Sequence, residues 1–272
     1  MKITLGIDIG GSTTKIAGLK GDVLVSPILV KANDPKASFF GAFGKFVDYN
    51  SLELSDIKAV SVTGVGASYI DKNIYGIPTH KKQEFLCNGL GGLYLSGLSS
   101  AVIVSMGTGT SIVKAQGDDV SHLGGTGIGG GTILGLAARL LNIRDINVLI
   151  QMAEGGDLKN VDLQVSDLTK DVLPTLPGDT TASNFGRLSD TASKADIALG
   201  IFNLVFQSIG MTAVFASKNL GINDVALIGN LSVIPHAHTL FSHISEVTGV
   251  RFLFPDNSEF ATAVGAALCE LP

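Results

Sequence analysis

The chain has 272 residues, enough for one large domain or two small ones, with a formal net charge of −5 from 19 basic and 24 acidic side chains. A composition of 45% hydrophobic and 16% charged residues excludes a disordered chain, and the acidic balance argues against a dedicated nucleic-acid binder. Cys87 and Cys269 are far apart in sequence and form no CxxC motif, so no disulfide framework or zinc site is predicted. The opening residues MKITLGIDIG contain no secretory signal, and we expect a cytoplasmic protein.

The first 98 residues alternate between strand and helix patterns. Residues 3–9 have the period of two that is typical of a strand. A Lys20-Gly21-Asp22 turn signal predicts that the next two strands are antiparallel. The elements predicted in this part are strands at 3–9, 15–19, 23–25 and 59–63, and helices around 39–47 and 84–98.

The remaining residues repeat the same order of elements. A strand at 101–106 runs into a glycine turn, a strand at 112–115 and another turn at 117–119. Beyond this hairpin we predict a helix at 133–141, an irregular segment at 157–178, a strand at 225–228 and a helix at 258–271 capped by Asn257 or Ser258. The repeated order of elements predicts two α/β lobes, residues 1–98 and 99–272, which face each other across a central cleft. Helix 258–272 is expected to pack back on the first lobe.

One uncharged segment, residues 197–217, is long enough for a membrane span. Asn203, Gln207 and Thr212 interrupt it, and no Trp or Tyr belt flanks it. We therefore predict a buried core helix and no membrane contact.

The chain contains 34 glycines, and many of them stand in clusters between apolar segments. The first cluster follows the first strand, where backbone N–H groups of two glycines can converge on an anion. Lys15 adds a positive charge there, and Asp8 at the strand end suits a hydrated Mg²⁺ ion. The candidate phosphate-binding residues of this turn are Gly10, Gly11, Ser12, Thr13, Thr14 and Lys15. Taken alone, the motif fits a plain tight hairpin equally well.

Two further glycine clusters strengthen this interpretation. Gly107-Thr108-Gly109 forms a second turn with hydroxyl donors, and a third cluster at 127–132 stands directly before a helical pattern. A helix N-terminus has free N–H groups and a positive dipole end, which suit a phosphate. The candidate nucleotide-binding residues here are Thr108, Gly129, Gly130, Gly131, Thr132 and Ile133.

The order GIDIGGSTTK, GTGTS and IGN resembles the actin, hexokinase and sugar-kinase superfamily. More narrowly, PxxxxxEF at 78–85, SMGTGTS at 105–111, GGTGIGGGT at 124–132 and PGDTTASNFG at 177–186 resemble the type II (eukaryotic-like) pantothenate kinases. The resemblance spans nearly the whole chain. It implies a two-lobed ribonuclease H-like ATPase fold, a homodimer, and ATP-dependent phosphorylation of pantothenate, the first step of coenzyme A synthesis.

Carried over to this chain, the resemblance makes residues 8–15 the phosphate and Mg²⁺ hairpin and places Asn230 in the adenosine segment. Glu84 falls on the family's general base, which accepts the proton of the attacking hydroxyl. The residues implied to face the acceptor substrate are Ser105, Thr108 and His122.

One departure concerns the acceptor. Relatives usually carry an arginine where His122 stands, and histidine is a weaker partner for a carboxylate than a bidentate guanidinium. This leaves open a pantothenate-like alcohol without the carboxylate, such as pantetheine. A sugar or amino-sugar kinase is an alternative with the same fold. A non-kinase alternative is an ATP-driven activator of a dehydratase, whose iron–sulfur cluster needs cysteines grouped more closely than Cys87 and Cys269 are in sequence.

Overall fold

The computed structural model describes residues 2–11, 13–31, 34–171 and 177–271. Its framework consists of two five-stranded mixed sheets. The first sheet has the order β3-β2-β1-β4-β5 and contains β1 (Ile3–Ile9), β2 (Thr13–Lys20), β3 (Val23–Lys31), β4 (Ile57–Thr63) and β5 (Thr79–Lys81). The second sheet has the order β12-β11-β6-β7-β8 and contains β6 (Ser100–Met106), β7 (Thr110–Gln116), β8 (Asp119–Thr126), β11 (Asp224–Ile228) and β12 (Arg251–Leu253). A short pair, β9 (Leu163–Gln164) and β10 (Thr181–Ser183), stands apart.

The two sheets share one connectivity. β1 pairs antiparallel with β2 and parallel with β4, and β6 pairs antiparallel with β7 and parallel with β11. The predicted duplicated α/β architecture is therefore confirmed. The helices are α1 (Pro35–Tyr49), α2 (Glu84–Ser96), α3 (Gly130–Leu140), α4 (Ile146–Ala153), α5 (Val165–Leu168), α6 (Lys194–Leu220), α7 (Pro235–Thr248) and α8 (Ala261–Leu268).

The sequence patterns missed several elements. β8 follows the predicted turn at 117–119, but its residues are mostly exposed, so no apolar alternation marks it. α4 and α7 were not predicted. The C-terminal helix is interrupted, with a 3₁₀ turn at Ser258–Phe260 before α8. Asn257 does not cap it as predicted, because its backbone is left-handed (φ 59°) and its side chain makes no cap hydrogen bond.

α2 and α8 lie between the two sheets and touch through their backbones. A Cβ on Gly91 would stand 1.8 Å from the carbonyl oxygen of Ala261, and one on Gly6 of β1 would stand 1.8 Å from that of Ala263. α2 in turn packs on the second sheet, where Gly92 contacts Ile103. The glycines of α2 therefore serve close helix packing, which brings the first residue of α2 near the end of β1.

α6 is the predicted uncharged helix. By length and composition alone it could cross a membrane, yet 61% of its most apolar window is buried inside the protein. Ile201, Phe202, Val205, Phe206 and Ile209 are all buried in the core of the second half, together with residues of α3, α4 and α7. The interpretation of this segment as a core helix agrees with that packing.

Candidate functional site

The β1–β2 hairpin places Asp8 directly opposite Lys15 in the antiparallel register. The turn is closed by the amide of Gly10, which donates to the carbonyl of Thr13 over 3.0 Å. Gly11 is exposed at the tip, with no atom within 4 Å of the place where a Cβ would stand. Ser12, also predicted to bind phosphate, lies outside the described residues. The hairpin thus presents an open glycine backbone beside one acid and one base.

Asp8 and Lys15 are both held in a poorly solvated environment. Burial raises the pKa of Asp8 to about 6, while the Lys15 ammonium opposes this shift and Glu84 adds to it. Burial also lowers the pKa of Lys15, whose side chain is only 5% exposed, against the opposing influence of Asp8, Glu259 and Glu84. A ligand that places a cation beside Asp8 or an anion beside Lys15 would therefore stabilise the charged form of that group.

Thr14 does not serve as predicted. Its hydroxyl accepts a 2.5 Å hydrogen bond from Ser38 of α1, in a buried position. Because successive side chains of a strand point to opposite faces, Thr14 lies on the face away from Thr13 and Lys15. The Thr14 side chain is thus used to hold α1 and is not free to bind phosphate.

Glu84 is the first residue of α2, and the residue as a whole is exposed. Partial burial of its carboxyl nevertheless raises its pKa, and the Lys15 ammonium opposes that shift. The next residue, Phe85, stacks on His122 of β8, with ring centroids 3.8 Å apart and planes 8° from parallel. The structure therefore brings His122 against the residue that follows Glu84, although β8 and α2 are different elements. Phe85 was not predicted, and its 41% exposure is the signal that marks it as more than a core residue.

The second and third glycine clusters close on each other. The amide of Gly130 donates to the carbonyl of Gly107, and that of Gly131 to the carbonyl of Thr108, both at 2.9 Å. The hydroxyl of Thr132 donates to the carbonyl of Gly127 and accepts from the amide of Gly129. The amides of these three glycines are therefore paired within the loop before α3, while the nucleotide contact expected of residues 129–133 stays a prediction.

The side chain of Ile133 is fully buried in the core of the second half. The place of Ile133 in the nucleotide turn stays a prediction that would involve its backbone. Thr108 remains exposed at the tip of its loop. The glycines there allow close packing, since a Cβ on Gly129 would stand 2.6 Å from the carbonyl oxygen of Thr108.

Asn230 stands beside this closed loop. It begins a 3₁₀ turn after Gly229, whose φ of +92° and close approach to Met106 leave no room for a side chain. The amide of Gly229 donates to the carbonyl of Ser258, the residue before Glu259, and Leu231 packs near Gly130. The Asn230 segment therefore contacts the loop before α3 on one side and the residue before Glu259 on the other. The Glu259 carboxylate is one of the charges that raise the pKa of Lys15.

Behind Glu84, a chain of polar side chains crosses from α8 to the second sheet. The Thr262 hydroxyl donates to Oδ1 of Asn88 over 2.7 Å, and Nδ2 of Asn88 donates to the Ser111 hydroxyl over 3.4 Å. Ser111 pairs across the strands with Ser105, which is partly buried. Asn88 lies one turn after Glu84 on the same face of α2, a spacing that was readable in the sequence. No comparable spacing in the sequence points to Glu259.

The metal prediction rests on a single carboxylate. Within the described ranges, no group of three His, Cys, Asp or Glu side chains could hold a metal ion. Mg²⁺ bound through phosphate oxygens and water needs only one or two carboxylates, and the Asp8 carboxyl at the end of β1 fits that requirement.

The paired sheets, each with a glycine hairpin at the end of its first strand, define an α/β fold of the actin and hexokinase type. Solved structures share it: an activator of the 2-hydroxyisocaproyl-CoA dehydratase from Clostridium difficile with bound ADPNP covers 98% of this chain and 93% of its own at a TM-score of 0.70 and 19% identity. The ROK hexokinase from Thermus thermophilus covers 98% and 97% at a TM-score of 0.56 and 13% identity.

The family follows from the sequence comparison. The Fumble family model matches residues 94–268, which is more than half of the chain, so the protein belongs to the Fumble family. It is 29% identical to the type II pantothenate kinase of Staphylococcus aureus (strain USA300), over 98% of this chain and 99% of that one. These matches confirm the resemblance that the glycine motifs indicate.

Proposed function

We propose that this protein transfers the terminal phosphoryl group of ATP to the primary hydroxyl of pantothenate. The end-to-end similarity to type II pantothenate kinases supports this function. The observation that carries it is that Asp8 and Glu84 both lie close enough to Lys15 to raise its pKa, while the Lys15 ammonium opposes the rise in theirs. One buried cation beside two carboxylates with raised pKa values is the arrangement needed to bind a phosphate chain next to a base.

Glu84 is the general base of this proposal. Its raised pKa makes the carboxylate a stronger proton acceptor than an ordinary surface glutamate. At the first position of α2, it accepts the proton of the attacking hydroxyl as the oxygen approaches phosphorus. Asn88 one turn later is bound on both sides, which fixes the helix that carries the base.

The phosphate chain lies along the β1–β2 hairpin. The Lys15 ammonium and the backbone around Gly10 and Gly11 compensate the phosphate charge, and Thr13 adds a hydroxyl on the same face as Lys15. Asp8 would hold a hydrated Mg²⁺ ion, which would neutralise charge on the phosphate oxygens. The Thr108 tip and the Asn230 segment form the nucleotide side, with Gly129–Gly131 acting as structural support.

The acceptor is bound near the Phe85–His122 stack. Ser105 and Thr108 offer hydroxyl groups at the end of β6, and His122 stacks on the residue that follows the base. Because His122 replaces a bidentate donor, pantetheine, which lacks the carboxylate, is the second candidate acceptor. A screen that couples ADP release to absorbance, run over pantothenate, pantetheine and hexoses, tests both. Activity with a hexose alone would overturn the proposal.

A dehydratase activator is the remaining alternative, since an activator of a dehydratase shares the fold. A cluster held between subunits needs exposed thiolates, whereas Cys87 is fully buried. An absorbance spectrum without iron–sulfur bands in protein purified without oxygen supports the kinase, and such bands would contradict it.

We further propose that the protein is a cytoplasmic homodimer and that each chain is built of two lobes, residues 1–98 and 99–272. Light scattering at the mass of two chains tests the dimer.

A further inference from the structure

The two cysteines, far apart in sequence, form a pair where α2 and α8 meet. A Cβ on Gly265 would stand 1.9 Å from the carbonyl oxygen of Cys87, so the helices are in backbone contact at this level. Cys269 follows Gly265 by one turn, and its amide donates to the Gly265 carbonyl over 3.3 Å. The two thiols are close enough for each to shift the pKa of the other, that of Cys87 upward and that of Cys269 downward. We call Cys87 and Cys269 the thiol pair.

The two thiols differ in exposure and charge. Cys87 is fully buried, whereas Cys269 is partly exposed. The neighbouring Cys87 thiol lowers the pKa of Cys269, and the Lys82 ammonium lowers it further against the effect of burial. Lys82 stays in place because it forms a 2.8 Å ion pair with Glu270 and a 3.5 Å hydrogen bond to the Cys269 carbonyl. Cys269 therefore has the thiolate character that a reactive cysteine needs.

We propose that Cys269 is a modification site for low-molecular-weight disulfides and that Cys87 then converts the adduct into a Cys87–Cys269 disulfide. The Cys269 thiolate attacks one sulfur of the small disulfide, whose S–S bond breaks as the bond to Cys269 forms, and the other sulfur leaves as a thiolate that takes up a proton. The Cys87 thiol gives its proton to water as its sulfur attacks that of Cys269. The S–S bond of the adduct breaks, and the second small molecule leaves as a thiolate that takes up a proton. Two protein thiols are oxidised and one small disulfide is reduced to two thiols.

The disulfide would act on the candidate active site. Glu84 lies three residues before Cys87 on α2, while α8 covers Gly6 of the strand that ends at Asp8. An S–S bond is about 2.05 Å long, shorter than any hydrogen-bonded contact between two sulfurs. Because the two backbones are already in contact at Gly265, the helices cannot simply move closer, and bond formation must shift or rotate the first turn of α2, which displaces the base relative to the phosphate hairpin. This consequence for turnover rests on the proposed kinase function, but the disulfide itself does not.

Glutathione disulfide is the probe for the first test. The full chain is incubated with it, remaining thiols are alkylated, and the intact mass is measured without reductant. Wild type should form the internal disulfide, Cys87→Ser should stop at an adduct with one glutathione, and Cys269→Ser should take up almost none because Cys87 is buried. Cys87→Ala repeats the test if the serine variant does not fold. The proposal is overturned if wild type keeps both thiols free, or if Cys269→Ser gains as much glutathione as wild type.

Turnover is the second readout. Oxidised wild type should lose ADP release at least about fivefold and recover it with dithiothreitol, whereas Cys269→Ser should be unaffected by either reagent. A quantitative disulfide with unchanged turnover would overturn the effect on the active site. Because the mass measurement needs no activity, a protein that forms the disulfide but phosphorylates no acceptor in either state would contradict only the proposed kinase function.

Discussion

The imidazole of His122 lies flat on the phenyl ring of Phe85, with centroids 3.8 Å apart. The stack joins β8 to the first turn of α2, the turn that also carries the candidate base Glu84. A residue at this position can contact the acceptor without disturbing the phosphate hairpin on the other sheet.

His122→Arg should therefore change the choice of acceptor. A guanidinium can also stack on Phe85, and it adds a bidentate donor for the pantothenate carboxylate. We expect the ratio of kcat/KM for pantothenate to that for pantetheine to rise about tenfold. His80→Arg, at an exposed histidine of β5, is the matched control. An unchanged ratio in His122→Arg would place the acceptor carboxylate elsewhere.

Glu84→Gln should remove turnover while ATP still binds. The amide keeps the shape of the side chain but cannot accept the hydroxyl proton, and loss of a general base costs about 10²–10⁴ in rate. Single-turnover kinetics and calorimetry with MgATP measure the two effects separately. Glu246→Gln on α7, also exposed, is the control and should retain full activity. A Glu84→Gln enzyme with near-normal kcat would rule out this residue as the base.

Lys15→Met should weaken nucleotide binding. The buried ammonium is replaced by an apolar chain of similar length, so the phosphates lose a charged hydrogen bond of about 1.5–3 kcal/mol. The Kd for MgATP, measured by calorimetry, should rise about tenfold to a hundredfold. Lys20→Met, at the exposed far end of the same strand, should bind as wild type does. Equal affinities for the two variants would contradict the role of Lys15.

Asp8→Asn should reveal the cost of the buried carboxylate. The pKa of Asp8 is raised from 3.8 to about 6, so between these values the folded state holds a proton that the unfolded state releases. Wild type therefore loses stability as pH rises from about 4 to 6, by about 1–3 kcal/mol, and the asparagine variant does not. Without nucleotide or Mg²⁺, the Tm of Asp8→Asn minus that of wild type should be larger at pH 7.5 than at pH 4.5. A difference independent of pH would contradict the shift.

Gly265→Ala should destabilise the protein because the new Cβ would stand 1.9 Å from the Cys87 carbonyl oxygen. That oxygen belongs to the backbone of α2 and cannot move aside as the end of a flexible side chain could. We expect a loss of about 3 kcal/mol or more in the free energy of unfolding by urea. Gly44→Ala in α1, where no atom lies within 4 Å, should instead gain about 0.5–1 kcal/mol. Equal effects at the two positions would show that α2 and α8 are not in backbone contact.

Much of the fold could be predicted because it depends on local patterns. The period of two in residues 3–9 and the order of strand, glycine turn and strand at 3–20 and 101–116 follow from which residues can lie on a sheet or turn tightly. The same reasoning singled out Asp8 and Lys15 as candidate site residues, whereas Glu84 was implied by the resemblance to pantothenate kinases. β8 escaped prediction because none of its residues is buried, so no apolar alternation marks it. α7 was missed although its buried residues Ala237, Phe241 and Ile244 have helical spacing.

The amino-acid sequence by itself determined where the backbone turns and which charges stand beside the turns. Only the tertiary structure decided which donors are free. The amides of Gly130 and Gly131 have the right residue type for a phosphate, but the carbonyls of the 107–109 loop already occupy them. A hydrogen-bonding group has a fixed capacity, and its partner depends on chain segments brought together by folding. The same holds for Phe85 on His122 and for Cys87 beside Cys269, contacts that no local pattern specifies.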